Sequence, residues 1–325
     1  MTDRIPVTVL TGYLGAGKTT LLNRILAADH GRRYAVIVNE FGAIGIDHDL
    51  IVAADEELFE MSNGCVCCTV RGDLIRTLHA LLARNAGSPR PFDAILVETT
   101  GLADPGPVAQ TFFVDDFAQA RTMLDSVTTV VDARHIRARL ADSREAGEQV
   151  AFADQIVLNK TDLVGADELA DIEARLRALN PLAPIHRAQR ANVALDDVLG
   201  RGGFDLDRIT ALEPGFLDGA AHDHDHDTDI RSVALTAERP MDGDKVSRWL
   251  ADLCATRGQD ILRAKGIVDV AGEDRRLVFQ AVHMLLDGDL QRAWRAGETR
   301  HSRAVFIGRH LDAAALRAQF EACAA

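Results

Sequence analysis

The sequence predicts a doubly wound parallel-sheet α/β domain followed by a smaller α+β domain, and three features carry that expectation. Short β-branched runs alternate with helical patterns through the first two hundred residues; a His-Asp tract then interrupts them; strand-like runs dominate the remainder of the chain. At 325 residues the chain exceeds the size at which a single hydrophobic core stops growing, so two domains are expected.

The runs Val7–Leu10, Ala35–Val38, Ala94–Val97, Thr128–Val131 and Gln155–Leu158 have the length and composition of buried parallel strands. Between them apolar positions such as Leu74, Ile75, Leu78, Leu81 and Leu82 recur at helical spacing, so each crossover is expected to be a helix lying on the sheet. From about Ala211 the composition turns to Glu213, Pro214, Gly215 and then His222-Asp-His224-Asp-His226-Asp, which has too little apolar content to pack. The expected organisation is a first domain over 1–210, a His-rich linker over 211–229 and a second domain over 230–325. In the second, a strand at Arg231–Ala237, a helix at Asp244–Thr256, strands near Gly266–Val270, Arg276–Val282 and Ala304–Ile307, and a terminal helix from Asp312 suggest a mostly antiparallel sheet.

Lys and Arg number 36 against 49 Asp and Glu, a net charge of −13 that argues against nucleic acid or an anionic membrane as the main partner. Cations are better suited clients. No apolar run approaches the roughly 18 residues of a membrane span, and the expected location is cytoplasmic. Five cysteines, three of them at Cys65, Cys67 and Cys68, fit metal thiolates better than a disulfide framework.

Gly12-Tyr-Leu-Gly15-Ala16-Gly17-Lys18-Thr19 matches the GxxxxGK[ST] phosphate loop, placed after an apolar strand and before a helix expected over Thr20–Ala28. Its glycines let backbone N–H groups wrap phosphates, Lys18 reaches the β and γ oxygens, and the Thr19 hydroxyl ligates Mg²⁺. Asn159-Lys160-Thr161-Asp162 closes a later strand on the side where open α/β sheets bind ligands. A carboxylate at Asp162 can accept from guanine N1–H and N2–H₂, whereas adenine offers neither donor, so GTP and GDP are the expected nucleotides. A helix N-cap is the competing use of Asp162. Glu98, ending the Ala94–Val97 strand, can touch Mg²⁺, and Glu40 lies where a loop sensing the γ-phosphate would lie.

Gly64-Cys65-Val66-Cys67-Cys68 falls between Glu40 and Glu98, just before a helix whose N-terminus lowers thiol pKa values. Thiolates there suit a soft or borderline cation; small buried hydrophobes are the bland alternative, and that alternative is favoured for Cys254 and Cys323. His222, His224 and His226, alternating with Asp, would project to one side of an extended segment and form an auxiliary metal collector, or simply a solvated linker.

With Gly12–Thr20, Asn39-Glu-Phe-Gly42, Gly64–Cys68, Glu98-Thr-Thr-Gly-Leu-Ala-Asp-Pro105 and Asn159–Asp162 together, the chain resembles the CobW-like family of P-loop GTPases, and Arg263-Ala-Lys-Gly266 and Val305-Phe-Ile-Gly308 resemble that family's C-terminal domain. The resemblance implies a GTP-hydrolysing metallochaperone that hands a transition metal, most often zinc, to a client metalloprotein; cobalt is the alternative cargo, and a homodimer is compatible with it. Some relatives carry further carboxylates where this chain has Val38 and Ala43. A metabolite kinase is disfavoured by the guanine-type motif, and a zinc buffer with a regulatory nucleotide site is the remaining rival.

Overall fold

The computed structural model describes residues 4–29, 31–39, 57–61, 67–89, 91–200 and 229–325. These fall into two compact units, one of residues up to 174 with 183–200 and one of 175–182 with those from 229 onward.

In the first unit the strands are β1 (Ile5–Thr11), β2 (Tyr34–Asn39), β3 (Glu57–Met61), β4 (Ala94–Glu98), β5 (Thr122–Asp132), β6 (Gln155–Asn159) and β7 (Ile185–Arg187), paired in the order β3-β2-β4-β1-β5-β6-β7. Every pairing is parallel. The chain winds from β1 to one edge of the sheet, returns at β4 and crosses to the other side at β5. That reversal opens a crevice at the carboxyl ends of β1, β4 and β5, where ligands of such sheets lie. Helices α1 (Lys18–Ala27), α2 (Cys67–Ala86), α3 (Pro105–Val114), α4 (Asp116–Arg121), α5 (Ile136–Asp142), α6 (Arg144–Phe152) and α7 (Ala166–Leu179) make the connections. Leu21, Leu22 and Ile25 of α1 pack with Val36, Leu96, Val130 and Val157 of the strands. In α2 the expected spacing holds, with Leu74, Leu78, Leu81 and Leu82 all buried.

Strand β5 runs well beyond the expected Thr128–Val131 because its polar residues are paired rather than exposed. Thr8 Oγ1 donates to Asp125 Oδ2 at 3.3 Å, and Gln155 Nε2 donates to Thr128 Oγ1 at 2.7 Å. Paired in this way, buried polar groups escape the desolvation cost that would otherwise break the strand.

The second unit carries an antiparallel sheet in the order β11-β10-β9-β12-β8, formed by β8 (Ile230–Ala237), β9 (Ile261–Val268), β10 (Arg275–Val282), β11 (Leu285–Ala293) and β12 (Ser302–Arg309). Helices α8 (Gly243–Arg257) and α9 (Ala313–Ala322) cover one face, burying Val246, Leu250, Leu316 and Phe320 against Leu235, Ala264 and Phe306. Asp242 caps α8 by accepting from Asp244 and Lys245 N–H, and Asp312 caps α9 from Ala315 N–H. The strand expected at Gly266–Val270 instead begins at Ile261, because Arg263 and Lys265 interrupt the apolar run yet are themselves buried. Cys254 and Cys323 are buried free thiols, and burial pushes both upward in pKa, as the core reading expects. Among the described residues no helix is long and apolar enough to cross a membrane.

Candidate functional site

At the carboxyl end of β1 the chain enters the glycine loop, where Gly12 has φ 138° and Gly17 φ 112°. A Cβ on Gly12 would lie 2.2 Å from the Val130 carbonyl oxygen, and one on Gly17 2.5 Å from Asn159 Nδ2. Both positions therefore require glycine for conformation and for space. Helix α1 begins at Lys18, so Lys18, Thr19 and Thr20 form its first turn, earlier than the sequence suggested. Among the described residues no side chain caps that end, which leaves its N–H groups directed at the loop's interior, an arrangement suited to an oxyanion.

The Lys18 ammonium folds back over the loop, donating to Gly12 O at 2.8 Å and Tyr13 O at 3.4 Å, and the residue is only 8% exposed. Thr19 Oγ1 donates to Glu98 Oε1 at 2.9 Å, and Glu98 is 3% exposed at the end of β4. Thr99 continues the contact between the two strands through Thr99 Oγ1 to Thr11 Oγ1 at 2.9 Å. A hydroxyl and a carboxylate facing each other beside a phosphate-shaped loop are the hard oxygen donors a Mg²⁺ ion takes.

Asn159, 2% exposed at the end of β6, ties this loop to a second one. Its Nδ2 donates to Ala16 O at 2.9 Å, and its Oδ1 accepts from Ala191 N–H at 2.8 Å. Lys160 follows in the left-handed region at φ 61° and places Nζ 2.7 Å from both Gly15 O and Asp132 Oδ2. Asp162 is exposed within a short 3₁₀ turn, Thr161–Leu163, and does not cap a regular helix. The segment Ala188–Ala191 lies against the Asn159–Thr161 turn: Thr161 Oγ1 donates to Ala188 O at 3.1 Å, and Arg190 and Ala191 both have positive φ.

Two parts of this arrangement leave little mark in the sequence. Ala188–Ala191 has no diagnostic side chains, and its role is carried by backbone. Asp132 stands out only as the last residue of a strand. Its Oδ1 accepts from Arg134 N–H and its Oδ2 from Lys160 and from His135 Nδ1 at 2.9 Å. Burial pushes the Asp132 carboxyl upward, but the Lys160 and His135 contacts outweigh it and hold the group below its ordinary range.

Cys67 and Cys68 are the first two residues of α2, so they lie within the helix and not ahead of it. Cys65, Glu40, His222, His224 and His226 lie outside the described residues. Among the described residues no cluster of His, Cys, Asp and Glu forms a metal site.

The family described as CobW/HypB/UreG, nucleotide-binding domain, matches residues 6–187, and the cobalamin synthesis protein CobW C-terminal domain matches 230–324. The chain is 38% identical to the zinc chaperone YjiA of Escherichia coli, over 97% of this chain and 98% of that protein. It is 36% identical to the zinc chaperone CobW of a Sinorhizobium species, over 98% and 97%. The crystal structure of the Zn(II)-bound YjiA GTPase from E. coli superposes with a TM-score of 0.77 at 32% identity, covering 99% of each chain. A Zn(II)-bound triple mutant of the same GTPase gives 0.80 at 33%, again with 99% coverage of both. This chain therefore belongs to the CobW/HypB/UreG family of nucleotide-binding proteins.

Proposed function

We propose that this protein is a GTPase that binds a transition metal, zinc foremost, at the Cys65-Val-Cys67-Cys68 segment and passes it to a client metalloprotein. The observation that supports the nucleotide half is the Asn159 bridge, which joins the phosphate loop to the Ala188–Ala191 segment. Gly12, Gly15, Ala16 and Gly17 would present backbone N–H groups to the phosphates, and Lys18 would leave Gly12 O and Tyr13 O to meet the γ-phosphate. Thr19 and Glu98 would hold Mg²⁺, which supplies charge neutralisation on the β and γ oxygens. Thr20 stands exposed in the first turn of α1, open to the α-phosphate. Asp162 would read guanine N1–H and N2–H₂, with the Lys160 stem against the base.

The zinc half rests on the names of the relatives and on the cysteines themselves. Three closely spaced thiolates give an incomplete tetrahedral shell, which favours transfer over permanent structure. Cys67 and Cys68 are the first two residues of α2.

A competition titration of Zn²⁺ against a chromogenic chelator, with GDP and with a non-hydrolysable GTP analogue, tests the whole. The two nucleotide states are expected to differ in zinc affinity by about 5- to 150-fold, and linkage requires zinc to shift nucleotide affinity by the same factor. A Cys65→Ser, Cys67→Ser, Cys68→Ser variant should keep GTP binding and lose stoichiometric zinc, because a hydroxyl is a poor zinc ligand at neutral pH. Equal zinc affinities in both states would leave a zinc buffer as the better description.

A further inference from the structure

A cavity of about 460 Å³ opens beside the phosphate loop. Tyr13, Leu14 and Gly15 line it from the loop, the carboxyl end of β5 forms its back, and α5 and α6 close the remaining sides. Lys18, Thr19 and Asp162 are absent from its lining, whereas Gly15 and Lys160 are shared with the loops of the nucleotide site, so the cavity adjoins that site. Its volume lies within the range of small-molecule sites.

The chemistry of the lining is uneven. Val130, Ile136, Ala146 and Val150 supply the apolar half of the lining, and among its polar groups Thr129 Oγ1 donates to Gln149 O at 2.7 Å and Gln149 Nε2 donates to Gly101 O and Ala103 O at 3.1 Å each. At the rim stand Arg139, with its guanidinium 5.2 Å from the Tyr13 ring centroid, and Lys160. Among the described residues Arg139 pairs with Asp142 at 3.0 Å, an exposed contact of the kind worth little in water. The lining contains one acid, Asp132, which accepts from Arg134 N–H, His135 Nδ1 and Lys160 Nζ. Each rim cation thus has a carboxylate partner, Lys160 with Asp132 and Arg139 with Asp142; the second pair is the more exposed, so Arg139 is the cation an incoming anion can recruit.

We propose that this cavity is an effector site for a small organic anion with an apolar body, the anionic group meeting Arg139 and the body filling the Val130, Ile136 and Val150 pocket. The site shares its walls with the nucleotide machinery. Lys160 grips Gly15 O from within it, and Gln149 holds the carbonyls of the loop that follows Glu98. An occupant that presses on Tyr13 or Gln149 meets a different wall when those loops rearrange around a γ-phosphate. Differential contact of that kind is what a coupling free energy consists of.

The test uses 8-anilinonaphthalene-1-sulfonate, a fluorescent anion with an apolar body, and the full chain with saturating GDP and Mg²⁺. One equivalent is expected to bind, and Arg139→Gln should weaken it about tenfold or more through loss of the charge-assisted contact. Val150→Trp should fill the pocket and abolish binding, and Arg139→Gln, on an exposed helix face, keeps the comparison valid if the tryptophan variant fails to fold. The dye should bind the GDP form and a form holding a non-hydrolysable GTP analogue with affinities at least about fivefold apart. Displacement of the dye by GDP, an affinity unchanged in Arg139→Gln, or equal affinities in the two nucleotide forms would each overturn the proposal. A chain that bound no guanine nucleotide would defeat the GTPase reading separately, since the Arg139 comparison can be repeated without nucleotide.

Discussion

Thr19 Oγ1 donates to Glu98 Oε1 across 2.9 Å, joining the first turn of α1 to the end of β4, 79 residues later in the chain. Glu98→Gln preserves an acceptor for that hydroxyl and removes only the charge. Phosphate release by the variant should then demand at least about tenfold more Mg²⁺ for half-maximal rate, the loss expected for one charged contact. A Mg²⁺ titration superimposable on that of the parent protein would remove Glu98 from the metal site.

Lys18→Ala separates catalysis from folding less cleanly than the sequence suggests, because the buried ammonium holds Gly12 O and Tyr13 O. Hydrolysis should fall by about 10²–10³-fold, as for other lost donors to a charge developing in the transition state. Stability of the nucleotide-free chain should fall by about 1 kcal/mol per lost bond. Steady-state phosphate release and urea unfolding measure the two effects; parental turnover by the variant would exclude Lys18 from the reaction.

Asn159→Ala and Asp162→Asn should behave oppositely. The first strips Ala16 O and Ala191 N–H of their buried partner and is expected to cost about 1–3 kcal/mol for each, together with most nucleotide affinity. The second changes an exposed side chain, so stability should hold while base choice moves. The new amide donates to the C2 carbonyl of xanthine, and a binding series with GTP, XTP and ATP should show GTP weakened and XTP strengthened. Retained preference for GTP over XTP in Asp162→Asn would place guanine recognition elsewhere.

The Asp132–Lys160 pair carries an acid limb. Because the folded Asp132 carboxyl sits below its ordinary value of 3.8, the unfolded chain takes up this proton first as pH falls. The pair's contribution is complete above that value and disappears as pH drops through the lower, folded one. Urea unfolding of the parent and of Asp132→Asn should therefore differ by about 1 kcal/mol near neutral pH and converge in acid. A gap that stayed constant down to the acid transition would show that the carboxylate's charge is not what stabilises Lys160.

Much of the first domain was legible because its signals are local. Short apolar, β-branched runs give β1, β4 and β6, and a fixed spacing gives the phosphate loop. What escaped depends on partners distant in sequence. The polar half of β5 survives burial because Thr8 and Gln155 reach it from neighbouring strands and Thr122 bonds back to Ala118 O. Strand β11, with Asp287, Gly288 and Asp289 at its centre, has the composition of a turn and becomes a strand by pairing with β10 at the sheet's edge. In the candidate site, the motifs that hold Lys18, Glu98 and Asn159 are legible as motifs, whereas the Ala188–Ala191 segment contributes backbone groups and leaves no trace in residue type. Asp132 is intermediate: a terminal strand aspartate is ordinary until Lys160 is seen beside it.

The double grip of Asn159 has a kinetic meaning. Because one buried side chain holds both Ala16 O and Ala191 N–H, neither loop can move away without breaking a bond to Asn159. A nucleotide held by these loops should leave only as fast as those bonds open, so differences among guanine nucleotides should reside in how slowly each one departs.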